Sequence, residues 1–242
     1  MPFAASPATG AFDRLKPFLA LSRTPHGLLD MAMPVAAALL WLGAFPPASV
    51  TLLGLFTVFA GYTAVYAVND LADYRTDRAN FLEGREDTSG YLDAVYARHP
   101  LAMGLITKRQ AVAWTAFWAV AALAGAWALN PACAVLLAAG CALEAAYCLL
   151  LKVTHLRALV NGVVKSLGGV AAVLAVDPAA PAWFPAMLFA MTFLWEIGGQ
   201  NIPADWFDLE LDRRQGARTM CVVLGTARAA KVSFWTLAGA TA

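Results

Sequence analysis

Charge is scarce in this sequence. Only 14% of its 242 residues are Asp, Glu, Lys or Arg, where a soluble globular chain carries about 25%. So few charged groups cannot cover a surface in water, and with 60% hydrophobic residues and a mean hydropathy of +0.62 the chain reads as an integral membrane protein. Neither sign dominates. Seventeen basic against 16 acidic residues leave a net charge of +1, which excludes the general basic surface that a nucleic-acid partner requires. Cysteine is also sparse: Cys133, Cys141, Cys148 and Cys221 form no CxxC pair, and three of them lie inside apolar runs. That excludes a disulfide framework and a zinc site, so they read as small membrane-buried residues. The three histidines, His26, His99 and His155, have no metal-ligand spacing and read as interfacial.

What the chain has instead is apolar length. A spanning helix needs about 20 mostly apolar residues, and such stretches occur at 28–45, 50–68, 111–129, 132–151, 158–176 and 182–200. Asn130-Pro131 breaks the third stretch from the fourth, and the segment from Asp177 to Pro181 breaks the fifth from the sixth, so each pair forms a tight helical hairpin. The expected architecture is an all-α bundle of six transmembrane helices. A seventh apolar run, from Val232 to Ala242, is only eleven residues long, too short to span, and the chain reads as short at its C-terminal end. Residues 1–27 are expected to form a cytoplasmic N-terminal segment and 28–242 a single transmembrane domain. Sixteen of the 17 basic residues fall before span one or after spans two, four and six; the exception is Lys165, inside span five. The positive-inside rule therefore puts the N-terminus and the loops after the even-numbered spans in the cytoplasm.

Carboxylates gather at two of those cytoplasmic span ends. After span two come Asn69, Asp70, Asp73 and Asp77, and after span six Asn201, Asp205, Asp208 and Asp212. At 100° per residue, each trio of aspartates shares one helix face and climbs about 10 Å of helix. Like charges stacked in this way repel one another. A solvated helix end explains one such face more readily than two, and a pair of all-oxygen faces suits hard divalent cations such as Mg²⁺, which keeps few protein ligands and shares the rest with phosphate oxygens. The pattern points to metal-assisted departure of a diphosphate.

The two motifs resemble those of the UbiA superfamily of intramembrane prenyltransferases. Asn69, Asp70, Asp73 and Asp77 match NDxxDxxxD; Asp205, Asp208 and Asp212 match DxxDxxxD, followed by Gly216 and Thr219 as in the family's trailing GxxT. Weaker echoes are Arg23 with Pro25-His26-Gly27, His99-Pro100 with Gly104, and Tyr147 with Lys152. The resemblance implies Mg²⁺ bound by the six aspartates, a prenyl diphosphate donor and a lipophilic or aromatic acceptor inside the lipid membrane. It also implies binding roles for Asn69, Asn201, Lys152, Arg23 and Tyr147, with Lys152 contacting the diphosphate and Arg23 either the diphosphate or the acceptor. Three departures stand out. Family members usually have nine spans, the 78–98 loop with Glu83, Glu86, Asp87 and Asp93 is long and acidic, and His99-Pro100 stands where many members have Arg-Pro, so no role passes to His99.

Glu144, Lys165 and Glu196 lie within apolar spans, where an unpaired ion costs on the order of 2.5–3.5 kcal/mol on insertion scales; they are expected to face the bundle interior. Asp30 is expected to reach only the interface. The expected activity is prenyl transfer from an isoprenoid diphosphate. A terpene cyclase on the same scaffold is a close rival, and a cation-coupled transporter is the rival from another class. Transporters put their ion sites near the bilayer midplane on broken helices, whereas these aspartates follow the spans on the basic side. Acceptor, prenyl chain length and oligomeric state are not legible in the sequence.

Overall fold

Asn130-Pro131 does locally what its chemistry dictates. The Asn130 side chain accepts a hydrogen bond from the Ala132 N–H at 2.9 Å, and Pro131 takes the first helical position, so one helix stops and the next begins within two residues. A second start signal opens the preceding helix: Thr107 and Gln110 exchange hydrogen bonds in a capping box. The computed structural model describes residues 10–84 and 95–242, and its described residues are helical with no strand. In chain order the helices are α1 (Ala11–Leu21), α2 (Thr24–Asp30), α3 (Ala32–Leu42), α4 (Ala48–Leu82), α5 (Lys108–Leu129), α6 (Pro131–Leu149), α7 (Arg157–Val176) and α8 (Trp183–Trp195). A π-helical turn (Glu196–Asn201), α9 (Ile202–Phe207), α10 (Leu209–Gln215), α11 (Met220–Leu224) and α12 (Thr226–Thr241) complete the chain.

Among the described residues, five helical segments are long and apolar enough to cross a membrane: Thr24–Leu42, Ala48–Leu82, Lys108–Leu129, Pro131–Leu149 and Arg157–Val176. The sixth expected span, 182–200, takes another form. Its regular part, α8, has 13 residues and runs directly into the π-helical turn. A π turn inserts a residue into the helical ladder and is frequent at functional positions. Leu40, Phe117, Val120 and Val135 stand exposed on the apolar helices, as faces solvated by lipid tails do. The protein is an integral membrane protein of the all-α class.

The chain divides into two compact units, one of residues 1–31 and 59–122, the other of 32–58 and 123–242. In the first, Leu21, Ala67, Leu101, Ile106 and Ala111 form the core, with Phe18, Leu71, Tyr74 and Trp114 packed against it. The Trp114 indole donates to the Ser22 hydroxyl at 2.8 Å. Leu21 is fully buried, so the described part of the segment expected as a cytoplasmic lead is built into this unit's core.

In the second unit α7 runs among α3, α6 and α8, presenting buried Gly162, Ser166, Gly169 and Val173. Small residues let helices approach closely where lipid supplies no hydrophobic drive between them. The Asp177 carboxylate accepts from the Trp41 indole at 3.0 Å and from the Ala179 N–H at 3.0 Å, which fixes the turn between α7 and α8. All four cysteines are free thiols, in agreement with the sequence reading.

Candidate functional site

The first aspartate set belongs to the first unit. It does not end a helix: α4 continues to Leu82, well past the apolar stretch, so Asp70, Asp73 and Asp77 are held on an intact helical frame. Residues 78–82 of the loop expected over 78–98 belong to α4, while Arg85, Glu86, Asp87 and Asp93 lie outside the described residues. Asp70 is almost wholly buried, Asp77 largely so, and Asp73 and Asn69 are half-buried beside them. Asp70 and Asp73 both lie within electrostatic reach of Asp77.

His99 corrects the sequence reading. Expected to be interfacial, it is buried, and its Nδ1 sits 3.1 Å from Asp70 Oδ1 and 3.2 Å from Asp77 Oδ2. The second Asp70 oxygen, Oδ2, is buried with no hydrogen-bond partner among the described residues. Two carboxylates and an imidazole thus converge on one point in a place with almost no water. Arg23, a donor-binding candidate, lies within electrostatic reach of Asp77. Its backbone is left-handed, at φ 43°, and its guanidinium stands 5.9 Å from the centre of the Tyr66 ring. A left-handed non-glycine residue is strained, and such strain gathers at functional positions. Tyr66 donates its hydroxyl proton to Asp30, which also has His26 Nε2 at 3.9 Å. Asp30 is thus tied to two aromatic side chains of the first unit.

The second set belongs to the second unit, and here the helix face expected over 205–212 is interrupted. α9 stops at Phe207, Asp208 takes a turn conformation, and α10 restarts at Leu209. What holds the carboxylates is the following segment. Asp205 Oδ2 accepts from the Met220 N–H at 2.8 Å, at the start of α11, and Asp212 Oδ2 accepts from the Thr219 hydroxyl at 2.9 Å. Gly216, at φ 70°, ends α10 in the left-handed conformation that brings Thr219 back to Asp212. The trailing Gly216 and Thr219 therefore orient the aspartates that precede them. Asp208 is half-buried.

Two polar residues that the sequence reading passed over complete this set. Arg157 was counted only as an orientation charge, yet its guanidinium stacks 3.8 Å from the centre of the Tyr147 ring and lies within electrostatic reach of Asp205 and Asp212. Its Nη1 is buried with no hydrogen-bond partner. Lys152, the candidate cation chosen from the sequence, stands exposed in the turn after α6. Asn161 donates to Asn201 Oδ1 at 3.0 Å and to Glu196 Oε1 at 3.3 Å, while Asn201 donates to the Glu196 carbonyl at 3.1 Å. Asn201 thus pins the π turn that leads into Asp205. Glu144 is buried, and Lys165 and Glu196 are half-buried, consistent with inward-facing positions. A lone basic residue opening an apolar span and a lone asparagine within it were the only sequence signals for Arg157 and Asn161.

Burial pushes the Asp205 carboxyl up to about 6 from an ordinary 3.8; the Met220 N–H opposes the rise and the Asp212 charge adds to it. Asp212 is raised as well, by burial first, against the Thr219 hydrogen bond. For a carboxyl whose folded value is raised, stability is fully present below the unfolded value and is lost as pH rises through the folded one. In a chelator, thermal stability is therefore expected to fall between pH 4 and about pH 6 through Asp205. Added Mg²⁺ should raise the melting temperature more at pH 7.5 than at pH 5. Thermal unfolding at the two pH values, with EDTA and with Mg²⁺, measures it; an equal Mg²⁺ effect at both would disconnect these carboxylates from cation binding.

The model of the UbiA prenyltransferase family matches residues 31–242. No curated protein matches in sequence. Solved structures match over most of the chain. A structure of a digeranylgeranylglyceryl phosphate synthase in membranes is 18% identical with a TM-score of 0.71, covering 93% of this chain and 74% of that one. A UbiA homologue from Archaeoglobus fulgidus bound to DMAPP and Mg²⁺ is 21% identical with a TM-score of 0.71, covering 92% and 74%. A UbiA homologue from Aeropyrum pernix K1 without ligand is 21% identical with a TM-score of 0.65, covering 93% and 75%. At these identities the likeness is one of fold.

Proposed function

The chain belongs to the UbiA prenyltransferase family, and on that footing we propose that it transfers a prenyl group from an isoprenoid diphosphate, with Mg²⁺, to a lipophilic or aromatic acceptor within the membrane. The observation that carries the proposal is that each aspartate set has a cation in reach: Arg23 for Asp77, Arg157 for Asp205 and Asp212. Asp70, Asp73, Asp77, Asp205, Asp208 and Asp212 would hold the metal, whose bound form neutralises charge on the departing diphosphate. Their chemistry fits, since hard cations take carboxylate oxygen and the buried Asp70 Oδ2 has no hydrogen-bond partner among the described residues. The distribution of basic residues supports a cytoplasmic location for the N-terminus and for both aspartate motifs. Residues 28–242 would form the transmembrane prenyltransferase-like domain, to which the preceding segment adds Arg23.

The protein's own part is positioning and the exclusion of water. Stacked on Tyr147, Arg157 offers a pre-oriented donor to diphosphate oxygens through Nη1, and Arg23 offers a second cation. Asn201 acts here by fixing the π turn before Asp205. Apolar side chains around the prenyl chain would keep water from a reactive allylic cation.

Labelled prenyl diphosphates of several lengths, supplied with Mg²⁺ and a panel of acceptors, should give a prenylated product identifiable by mass; release of diphosphate with a cyclised hydrocarbon would favour the cyclase instead. Arg157→Ala is expected to raise the KM for prenyl diphosphate by on the order of tenfold or more, the loss of a charge-assisted hydrogen bond. Lys152→Ala should change it little, because that side chain is exposed. Steady-state kinetics of both variants measures the contrast, and equal effects would remove Arg157 from the donor-binding role.

A further inference from the structure

We propose that His99 is itself a metal ligand, so that the first cation position in this chain is a mixed site of two carboxylates and one imidazole. The inference deepens the prenyltransferase reading and rests on it for the metal, but not for the geometry. Asp70, Asp77 and His99 each offer one ligand atom, and the three atoms lie within 4.8 Å of one another. His99 Nδ1 is 3.1 Å from Asp70 Oδ1 and 3.2 Å from Asp77 Oδ2. Ligands at about 2.1 Å from a six-coordinate ion, at right angles to each other, are separated by about 3.0 Å, so both distances suit neighbouring positions around one cation.

Charge and burial point the same way. A hydrogen bond from Nδ1 supplies one proton between two carboxylates, while a dication answers both charges. The Asp70 side chain is 1% exposed and its Oδ2 has no hydrogen-bond partner. A buried carboxylate oxygen left in that state loses hydration without a replacement, and a cation drawn to the carboxylate would supply one. All three residues belong to the first unit, two from one rigid helix.

An imidazole ligand carries a consequence that an all-carboxylate site lacks. Nitrogen favours ions further along the Irving–Williams order, whereas Mg²⁺ prefers oxygen. This position should therefore hold Mn²⁺ more tightly than Mg²⁺, by a margin that depends on His99.

The probe is Mn²⁺ alone, added to the purified full chain in the absence of any diphosphate and read by pulsed electron paramagnetic resonance. The expected spectrum contains coupling from a directly bonded ¹⁴N, which changes to that of ¹⁵N when the histidines are isotopically labelled, a test that needs no variant. The coupling should survive in His26→Asn and vanish in His99→Gln. His99→Gln should also lower Mn²⁺ affinity at least tenfold while lowering Mg²⁺ affinity less. Mn²⁺ bound without nitrogen coupling, coupling that persists in His99→Gln, or no Mn²⁺ binding that depends on Asp70 would each overturn the assignment. The two readings fail separately. Product formation without nitrogen coupling removes only the His99 ligand, and nitrogen coupling without any prenylated product removes only the prenyltransferase reading.

Discussion

Replacing Asp70 with Ala is expected to lower prenyl-transfer turnover by on the order of 10²–10³-fold, the loss that follows removal of one pre-oriented electrostatic group. Asp205→Ala should fall in the same range. Asp70 is the most buried of the six aspartates, at 2% exposure, so no water stands ready to take over its contacts. Removing Asp70 relieves repulsion with Asp77 but also takes the carboxylate from beside His99, so the metal-free Asp70→Ala protein should melt close to the wild-type temperature. Activity lost at undiminished stability separates a functional carboxylate from a structural one. The double variant Asp70→Ala with Asp205→Ala tests whether the two sets act on one step: groups working as a unit cost little more together than singly. Turnover and Mg²⁺ dependence of the two single variants and the double supply the answer. Near-wild-type turnover in either single variant removes that residue from the machinery, and losses that add in free energy assign the sets to separate steps.

The second large effect is expected outside the two aspartate sets. Gly198, in the π turn, meets α12 so closely that an added Cβ would lie 2.2 Å from Thr236 Oγ1 and 2.7 Å from the Ser233 carbonyl oxygen. The Ser233 hydroxyl donates to the Gly198 carbonyl at 2.6 Å, which fixes α12 against the turn. The Thr236 side chain can rotate away, but the Ser233 carbonyl belongs to the helix backbone and cannot. Gly198→Ala should therefore destabilise the protein by about 1–3 kcal/mol, as overpacking does. It should lower activity too, because the same turn leads through Asn201 to Asp205. Adding Thr236→Ala should recover only part of the loss. Thermal unfolding of the single and double variants decides the matter: full recovery would show that the side chain alone, and not the backbone of α12, sets the spacing.

The particular residues explain how far the sequence could be read. Apolar length and the scarcity of charge determined a membrane bundle, because a bilayer demands about 20 apolar residues per crossing wherever they fall in the chain. Asn130-Pro131 determined the break between α5 and α6, since a side-chain cap and a proline act on their immediate neighbours. The periodic aspartates announced both functional sets because helical spacing turns sequence intervals directly into a shared face. The limit came where partners are distant in sequence. His99 reaches Asp70 across 29 residues, and Thr219 reaches Asp212 only because Gly216 reverses the chain. Arg157 lies on α7 while the ring it stacks on, Tyr147, lies on α6. Periodicity carries no information about such meetings. The π turn at Glu196–Asn201 was equally hidden, since its extra residue depends on Asn161 and Ser233, which arrive from other helices. Local rules thus decided where helices begin, end and carry charge, whereas packing between helices decided which of those charges have company.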